Sequence, residues 1–177
     1  MINLNKEQSV FLNEYLVNTF NNILLLEQGI LKKIGVKDIS VREIHVLEAI
    51  ANLQKQGKNT MKAVADKLCI SPGALSTSVN TLVKKGYITR NGNEEDRRVV
   101  FVCLTDKAHK INEIHENFHS DMVEKIGNQL NDEQIKCLIA SLITIKKYCY
   151  GEIEGKKHKV SEITREETTK WQDTAMK

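Results

Sequence analysis

A single proline in 177 residues, nine glycines and only 5% aromatic side chains give little material for a turn-rich sheet sandwich. Long helices are therefore the expected fabric of the chain. No run approaches the ~18 apolar residues of a membrane span. The start, Met1-Ile2-Asn3-Leu4-Asn5-Lys6-Glu7, lacks the basic-then-apolar order of a signal peptide. A cytoplasmic location without membrane attachment is expected. Cys69, Cys103, Cys137 and Cys149 are widely separated with no CxxC, and each has apolar sequence neighbours, so buried thiols are expected rather than disulfides or a metal knuckle. Also missing are a nucleophile elbow, a P-loop, a glycine-rich dinucleotide turn and an HExxH pair, which argues against an enzyme.

The formal charge of +3 is small, but its distribution is uneven. Residues 58–98 carry a net +4, whereas residues 1–57 and 152–177 each sum to zero. A local basic excess of this kind is the footprint of an anionic partner such as nucleic acid.

Helical periodicity predicts a long first helix from about Glu7 to Ile34. Its apolar stripe, widened by Val17, Leu25 and Leu26, exceeds what one contact face requires. Ser40-Val41-Arg42-Glu43 is a capping box that opens a second helix to about Leu53. Thr60 caps a third of about nine residues. Ser71-Pro72 then places a capping hydroxyl before a proline at the first helical position, and Gly86 stops this fourth helix. Tyr87–Arg90 and Arg98–Leu104 predict two strands with a charged tip between them. Thr105 opens a fifth helix to about Ile126, and Asn131-Asp132-Glu133-Gln134 a sixth to about Tyr148 or Tyr150. Residues 151–177 predict a tail or, alternatively, an extra helix opened by Thr164 with Glu167 and Trp171.

The fourth helix carries the chemistry. Leu75, Val79 and Leu82 form an apolar line, while Gly73, Ala74, Ser76, Thr77 and Asn80 leave a small, uncharged, hydrogen-bonding surface. A short helix of that kind suits the major groove, where Ser, Thr and Asn reach base edges. Ser71, at the helix N-terminus, can face a phosphate. Lys62 and Lys84, with Lys67 and Lys85, suit phosphate contacts, and an arginine at the hairpin tip can enter a narrow minor groove. The expected class is mainly α with a small β wing: a winged helix-turn-helix domain at 36–105 and a helical dimerisation region at 1–35 and 106–150. The apolar faces of the first, fifth and sixth helices need a mate, and a second copy supplies one.

Glu95-Asp96-Arg97-Arg98-Val99-Val100-Phe101-Val102-Cys103-Leu104-Thr105 resembles the wing signature of the MarR family of regulators, an Asp-x-Arg followed after a short strand by Leu-Thr. The resemblance covers about residues 10–150. It implies a triangular homodimer with two winged domains on a palindromic, A/T-rich duplex operator. Asp96 matches the family acid that supports the wing, Arg98 the wing arginine, and Arg97 shares its neighbourhood. Within the family, Asn13-Glu14-Tyr15-Leu16, Phe20-Asn21-Asn22-Ile23-Leu24, Lys85-Gly86-Tyr87-Ile88 and Met122-Val123-Glu124-Lys125-Ile126 are similar to the fatty-acid biosynthesis repressors of streptococci and related Firmicutes. That likeness implies repression of type II fatty-acid synthesis genes, with long-chain acyl-acyl carrier protein as corepressor. Its acyl chain would enter a tunnel formed by Leu16, Phe20, Ile23, Leu24 and Leu47, gaining about 0.8 kcal/mol per buried CH₂. The 151–177 extension, Pro72 and Ala74 depart from that pattern, so the operator sequence is not implied.

An alternative effector is zinc. His115 and His119 lie four apart on one helix face, His45 can approach from the second helix, and Glu27 can complete a three-nitrogen, one-carboxylate set. Zinc-sensing members of the same family use this region. The remaining alternatives are a small-molecule-responsive regulator and a helical protein-interaction module.

Overall fold

The computed structural model describes residues 4–92, 96 and 99–154. Eight elements follow in chain order: α1 (Lys6–Lys33), α2 (Val41–Gln54), α3 (Met61–Lys67), α4 (Pro72–Lys84), β1 (Ile88–Gly92), β2 (Val100–Leu104), α5 (Asp106–Gly127) and α6 (Asp132–Glu154). The described residues up to His119 form one compact unit and those from Ser120 to Glu154 a second, the division falling within α5. No helix among the described residues is long and apolar enough to cross a membrane.

Local chemistry sets the helix ends. Asn5 Oδ1 accepts from Gln8 N at 2.8 Å while Gln8 Oε1 accepts from Asn5 N at 3.0 Å, a reciprocal box that starts α1. Ser40 and Glu43 start α2 in the same way, at 3.3 and 2.8 Å. Ser71 Oγ accepts from Ala74 N at 3.2 Å, with Pro72 following at a position that has no use for an N–H. Each such cap contributes about 1 kcal/mol. At the other end, Tyr87 N donates to Leu82 O and Gly86 N to Val83 O, with Gly86 at φ +75°, so α4 closes on a left-handed glycine. The same pair of bonds closes α3, from Ile70 N to Ala65 O and Cys69 N to Asp66 O. There the left-handed residue is Cys69 at φ +53°, whose β-carbon costs about 1–2 kcal/mol in that conformation. The turn between α3 and α4 is thus held by helix closure rather than by glycine.

The core of the first unit joins Ile44, Leu47 and Ile50 of α2 to Val64 of α3 and Leu75, Val79 and Leu82 of α4. Tyr87, Ile88 and Val102 of the hairpin complete it, all almost fully buried. Each of these side chains contributes roughly 1.5–3 kcal/mol by leaving water. The α4 residues are its apolar line, so the packing fixes which face of α4 looks outward.

The antiparallel hairpin pairs Ile88 with Leu104 through to Gly92 with Val100. Two strands alone are marginal. A third segment supports them: Val102 N donates to Asn59 O at 2.9 Å, the buried Asn59 Nδ2 donates to Val102 O at 2.8 Å, and Thr60 bridges Phe101. Asn59→Ala is expected to destabilise the fold by about 1–3 kcal/mol, the cost of a lost buried amide bond. A chemical-denaturation midpoint unchanged from the parent chain would remove Asn59 from that role.

The expected strands shift: β1 starts and ends later, taking in Asn91 and Gly92, and β2 starts at Val100, because the cross-strand register decides them. α3 is shorter than nine residues, since its closure falls at Leu68–Ile70. α6 runs on to Glu154, through Gly151, beyond the expected stop at Tyr148 or Tyr150. The thiols are not buried: Cys69 and Cys103 are half-exposed, and Cys137 and Cys149 are exposed on α6. Apolar neighbours in sequence misplace them because a helix turns its neighbours to different faces. Of the tail or extra helix expected at 151–177, residues 151–154 instead continue α6, and the rest lies outside the described residues.

In the second unit, Asn131 and Gln134 form the expected box, at 3.0 Å in both directions, and open α6. Val123, Ile126, Leu138, Leu142 and Tyr148 are exposed large apolar groups. In the first unit α1 buries only Glu27 and Leu31 and exposes Phe11, Tyr15, Phe20 and Leu25, the last at 62%.

Candidate nucleic-acid interface and candidate metal centre

With Leu75, Val79 and Leu82 fixed in the core, α4 exposes Ser71, Gly73, Ala74, Thr77, Asn80 and Lys84, with Ser76 half-buried beside them; Lys62 of α3 is also exposed. This is the set that the spacing predicts. A β-carbon built on Gly73 would meet nothing within 4 Å, so its smallness serves no internal packing and leaves room outside the helix.

The hydroxyls have a defined polarity. Thr77 Oγ1 donates to Gly73 O at 3.1 Å, and Ser78 Oγ to Ala74 O at 3.2 Å. A hydroxyl has one proton to give. Thr77 therefore shows its surroundings lone pairs and a methyl, the complement of a base amino group or a thymine methyl. Thr77→Ala or Asn80→Ala is expected to change preference among base pairs by about 1–3 kcal/mol per half-site while leaving the salt dependence of binding unchanged. Equal weakening on every duplex, measured by fluorescence anisotropy, would make them backbone contacts instead.

The end of α4 is anchored by ion pairs. Lys85 Nζ lies 2.7 Å from Glu43 Oε1, so this lysine, expected among the phosphate contacts, is engaged within the domain. Burial pushes the Glu43 carboxyl up, but the Lys85 ammonium and the Ser40 N–H and hydroxyl outweigh it and hold it below its ordinary value. Tyr87 Oη donates to Asp38 Oδ1 at 2.7 Å, and Lys107 Nζ donates to Asp38 Oδ2 at 2.9 Å and to Lys85 O at 3.1 Å. Lys107, then Tyr87, hold the Asp38 carboxyl low. The first turn of α5 is thereby tied to the last turn of α4. Arg97 and Arg98 lie outside the described residues; Asp96, just before them, is described, and its carbonyl accepts from Val99 N at 3.0 Å.

A second constellation forms where α1, α2 and the first half of α5 meet. Glu27 is 4% exposed and His115 6%. Glu27 Oε1 lies 3.4 Å from His45 Nε2, 3.6 Å from His115 Nε2 and 3.2 Å from His119 Nε2, and the two α5 imidazoles approach to 3.2 Å through their Nε2 atoms. Glu27, His45 and His115 each bring a ligand atom within 4.8 Å of the others. Zinc at 2.0–2.1 Å from four tetrahedral ligands sets them about 3.3–3.4 Å apart. Glu27 stands near that edge length from each histidine, as His115 does from His119. Glu27, His45 and His115 form the group whose ligand atoms all lie within 4.8 Å of one another, and His119 approaches two of its members, Glu27 and His115, to 3.2 Å. Burial, then the neighbouring His119, push His115 below its ordinary value despite Glu48 and Glu27, favouring the neutral ring that a metal needs. Glu27 Oε2 is buried without a hydrogen-bond partner, which fits a site that a cation completes; His115 Nδ1, on the far side of its ring, is buried without one as well.

Glu48 was not among the residues picked out from sequence. Its Oε2 lies 3.8 Å from His115 Nδ1. The signal was its place three residues after His45, on one face of α2.

The expected acyl-tunnel residues do not line one cavity. Leu47 is fully buried in the core, whereas Leu16 and Ile23 are half-buried and Phe20 and Leu24 exposed along α1. A narrow apolar seam instead runs under α1 between Ile30, Leu31, Ile34, Ile44, Ile111 and Phe118, with Glu27 and His115 at its polar end. Its free volume is about 10 Å³.

Comparison with known proteins places these features. The MarR family matches residues 39–100. The transcriptional regulator AdcR of Streptococcus pneumoniae is 30% identical over 115 residues, 65% of this chain and 74% of AdcR. The uncharacterised regulators YwhA and YvnA of Bacillus subtilis are 26% and 27% identical, and the chain spans 63% and 61% of their lengths. Among solved structures, Streptococcus pneumoniae FabT in complex with DNA superposes with a TM-score of 0.73 at 36% identity, over 80% of this chain and 97% of FabT. The Staphylococcus aureus MepR–DNA complex shares the fold, with a TM-score of 0.63 at 22% identity.

Proposed function

This chain belongs to the MarR family, and from that premise we propose that it is a homodimeric DNA-binding repressor of type II fatty-acid synthesis genes, with long-chain acyl-acyl carrier protein as corepressor. The observation that carries the DNA-binding part is the outward face of α4: small groups, one exposed amide and a glycine with open space before it, on a helix whose other face is locked in the core. The 36% identity to FabT, across 97% of that chain and in a complex with DNA, supports the DNA-binding part. The fatty-acid branch rests on the sequence likeness of residues 13–16, 20–24, 85–88 and 122–126 to the fatty-acid repressors. The exposed apolar faces of α1 and α6 suit a second copy, with residues 1–35 and 106–150 as the dimerisation region. Two copies would set two α4 helices about 34–36 Å apart on a palindrome. The protein acts by binding rather than catalysis, and in the cytoplasm, where its operator is.

An acyl chain would have to part the seam beneath α1, and its gain of about 0.8 kcal/mol per CH₂ is the means. Acylated carrier protein is expected to raise operator affinity about 5- to 150-fold, the usual range of such coupling, when titrated into a binding assay with unacylated carrier as the control.

The cluster of Glu27, His45, His115 and His119 favours a second reading, in which zinc is the effector. When bound, zinc would supply a double positive charge opposite Glu27 and fasten α1, α2 and α5 together, while the chain's own groups furnish the ligands. If zinc at stoichiometric amounts shifts operator affinity and acylated carrier protein does not, the second reading replaces the first.

A further inference from the structure

His115 meets its surroundings at both ring nitrogens. Nε2 faces Glu27 and His119, and Nδ1 is buried with no hydrogen-bond partner. If Nε2 gives its lone pair to a cation, the ring proton must sit on Nδ1, and a buried N–H left without an acceptor costs about 1–3 kcal/mol. The acceptor within reach is the carboxylate of Glu48, 3.8 Å away and with its side chain 38% exposed. A small rotation of so open a side chain closes the gap to a hydrogen bond. Glu48 also stands one helical turn from His45, so α2 offers a ligand and a carboxylate to the same stretch of α5.

We propose that Glu48 is the positioning residue of this centre, accepting the Nδ1 proton of His115 so that Nε2 points as a lone pair at a zinc ion held with Glu27, His45 and His119. The inference rests on the zinc-responsive reading above. Its physical basis is general: a carboxylate on the far nitrogen of a ligating imidazole fixes the tautomer and raises its basicity. Glutamine at position 48 keeps size and polarity but accepts the proton without the charge, whereas aspartate keeps the charge on a shorter arm.

The test uses the full-length chain, metal-free, titrated with zinc against a chromogenic chelator, and with cobalt as a visible-light probe of coordination. The parent chain is expected to bind one ion per chain, with the intense visible bands of tetrahedral cobalt. Glu48→Gln is expected to weaken zinc about 10- to 100-fold. Glu48→Asp should recover most of that loss, and melting in chelator should be the same for all three chains. Tight zinc binding by the parent with equal affinity in Glu48→Gln would overturn the role of Glu48 and leave the zinc reading standing. Absence of zinc binding by the parent would overturn both.

Discussion

Replacement of Arg98 by alanine is expected to lower operator affinity at least about thirtyfold at physiological salt. The hairpin ladder closes at Gly92 opposite Val100, so Arg98 belongs to the connection at the wing tip by its place in the chain. The strand that leads away from it is anchored, because Asn59 and Thr60 hold β2 to the start of α3. A dimer offers two such arginines, each worth about 1–3 kcal/mol to its half-site, and 1.4 kcal/mol is a factor of ten. The loss should fall on binding alone, since the substitution changes none of the core side chains. Arg98→Lys keeps the charge and should keep the salt dependence while losing the fit of a planar guanidinium in a narrow groove. An unchanged affinity for Arg98→Ala in a gel shift removes the wing from the interface.

Glu27→Gln has the second large effect, and it has two opposed signs. The parent carboxylate is 4% exposed, faces three imidazoles and has one oxygen without a hydrogen-bond partner. Such a group is costly when nothing cationic completes it and valuable when something does. In chelator, Glu27→Gln should melt a few degrees higher than the parent, since about 1 kcal/mol corresponds to about 2–4 °C in a chain of this size. With excess zinc the order should reverse. The parent gains about 4 kcal/mol at a thousandfold excess over its dissociation constant, whereas the variant, its ligand charge gone, binds more than about a hundredfold more weakly and gains far less. A scanning-calorimetry comparison in which zinc moves both chains equally, or neither, removes Glu27 from any metal centre.

The parts of this architecture that were legible in the sequence are those decided locally. Ser40, Ser71 and Asn131 sit where a hydroxyl or amide meets the N–H three residues on, and each caps the helix it was expected to cap; Asn5, which the sequence reading does not single out, caps the expected first helix in the same way. The outward face of α4 was legible because a helical period sorts Leu75, Val79 and Leu82 from Gly73, Thr77 and Asn80. The convergence of Glu27 with the three histidines was foreseeable only as a possibility, since it depends on how α1, α2 and α5 pack. What escaped was settled by contacts between elements. Lys85 pairs with Glu43, forty-two residues away, instead of remaining open to phosphate. Asn59 and Glu48 gain their roles from β2 and α5. Of the acyl residues that the family likeness implies, Leu47 lies in the core while Phe20 and Leu24 are exposed along α1, a division that only the packing of α1 on α2 reveals.

The central claim is that α4 reads bases in duplex DNA. Its most direct test is fluorescence anisotropy of the purified chain on a selected palindrome, on scrambled duplexes and across a salt series. Binding to the preferred duplex at least about 10³ tighter than to scrambled ones, with log affinity falling linearly in log salt, is the result this account predicts. Equal affinity for every duplex at all salt concentrations, or none for any, would contradict it.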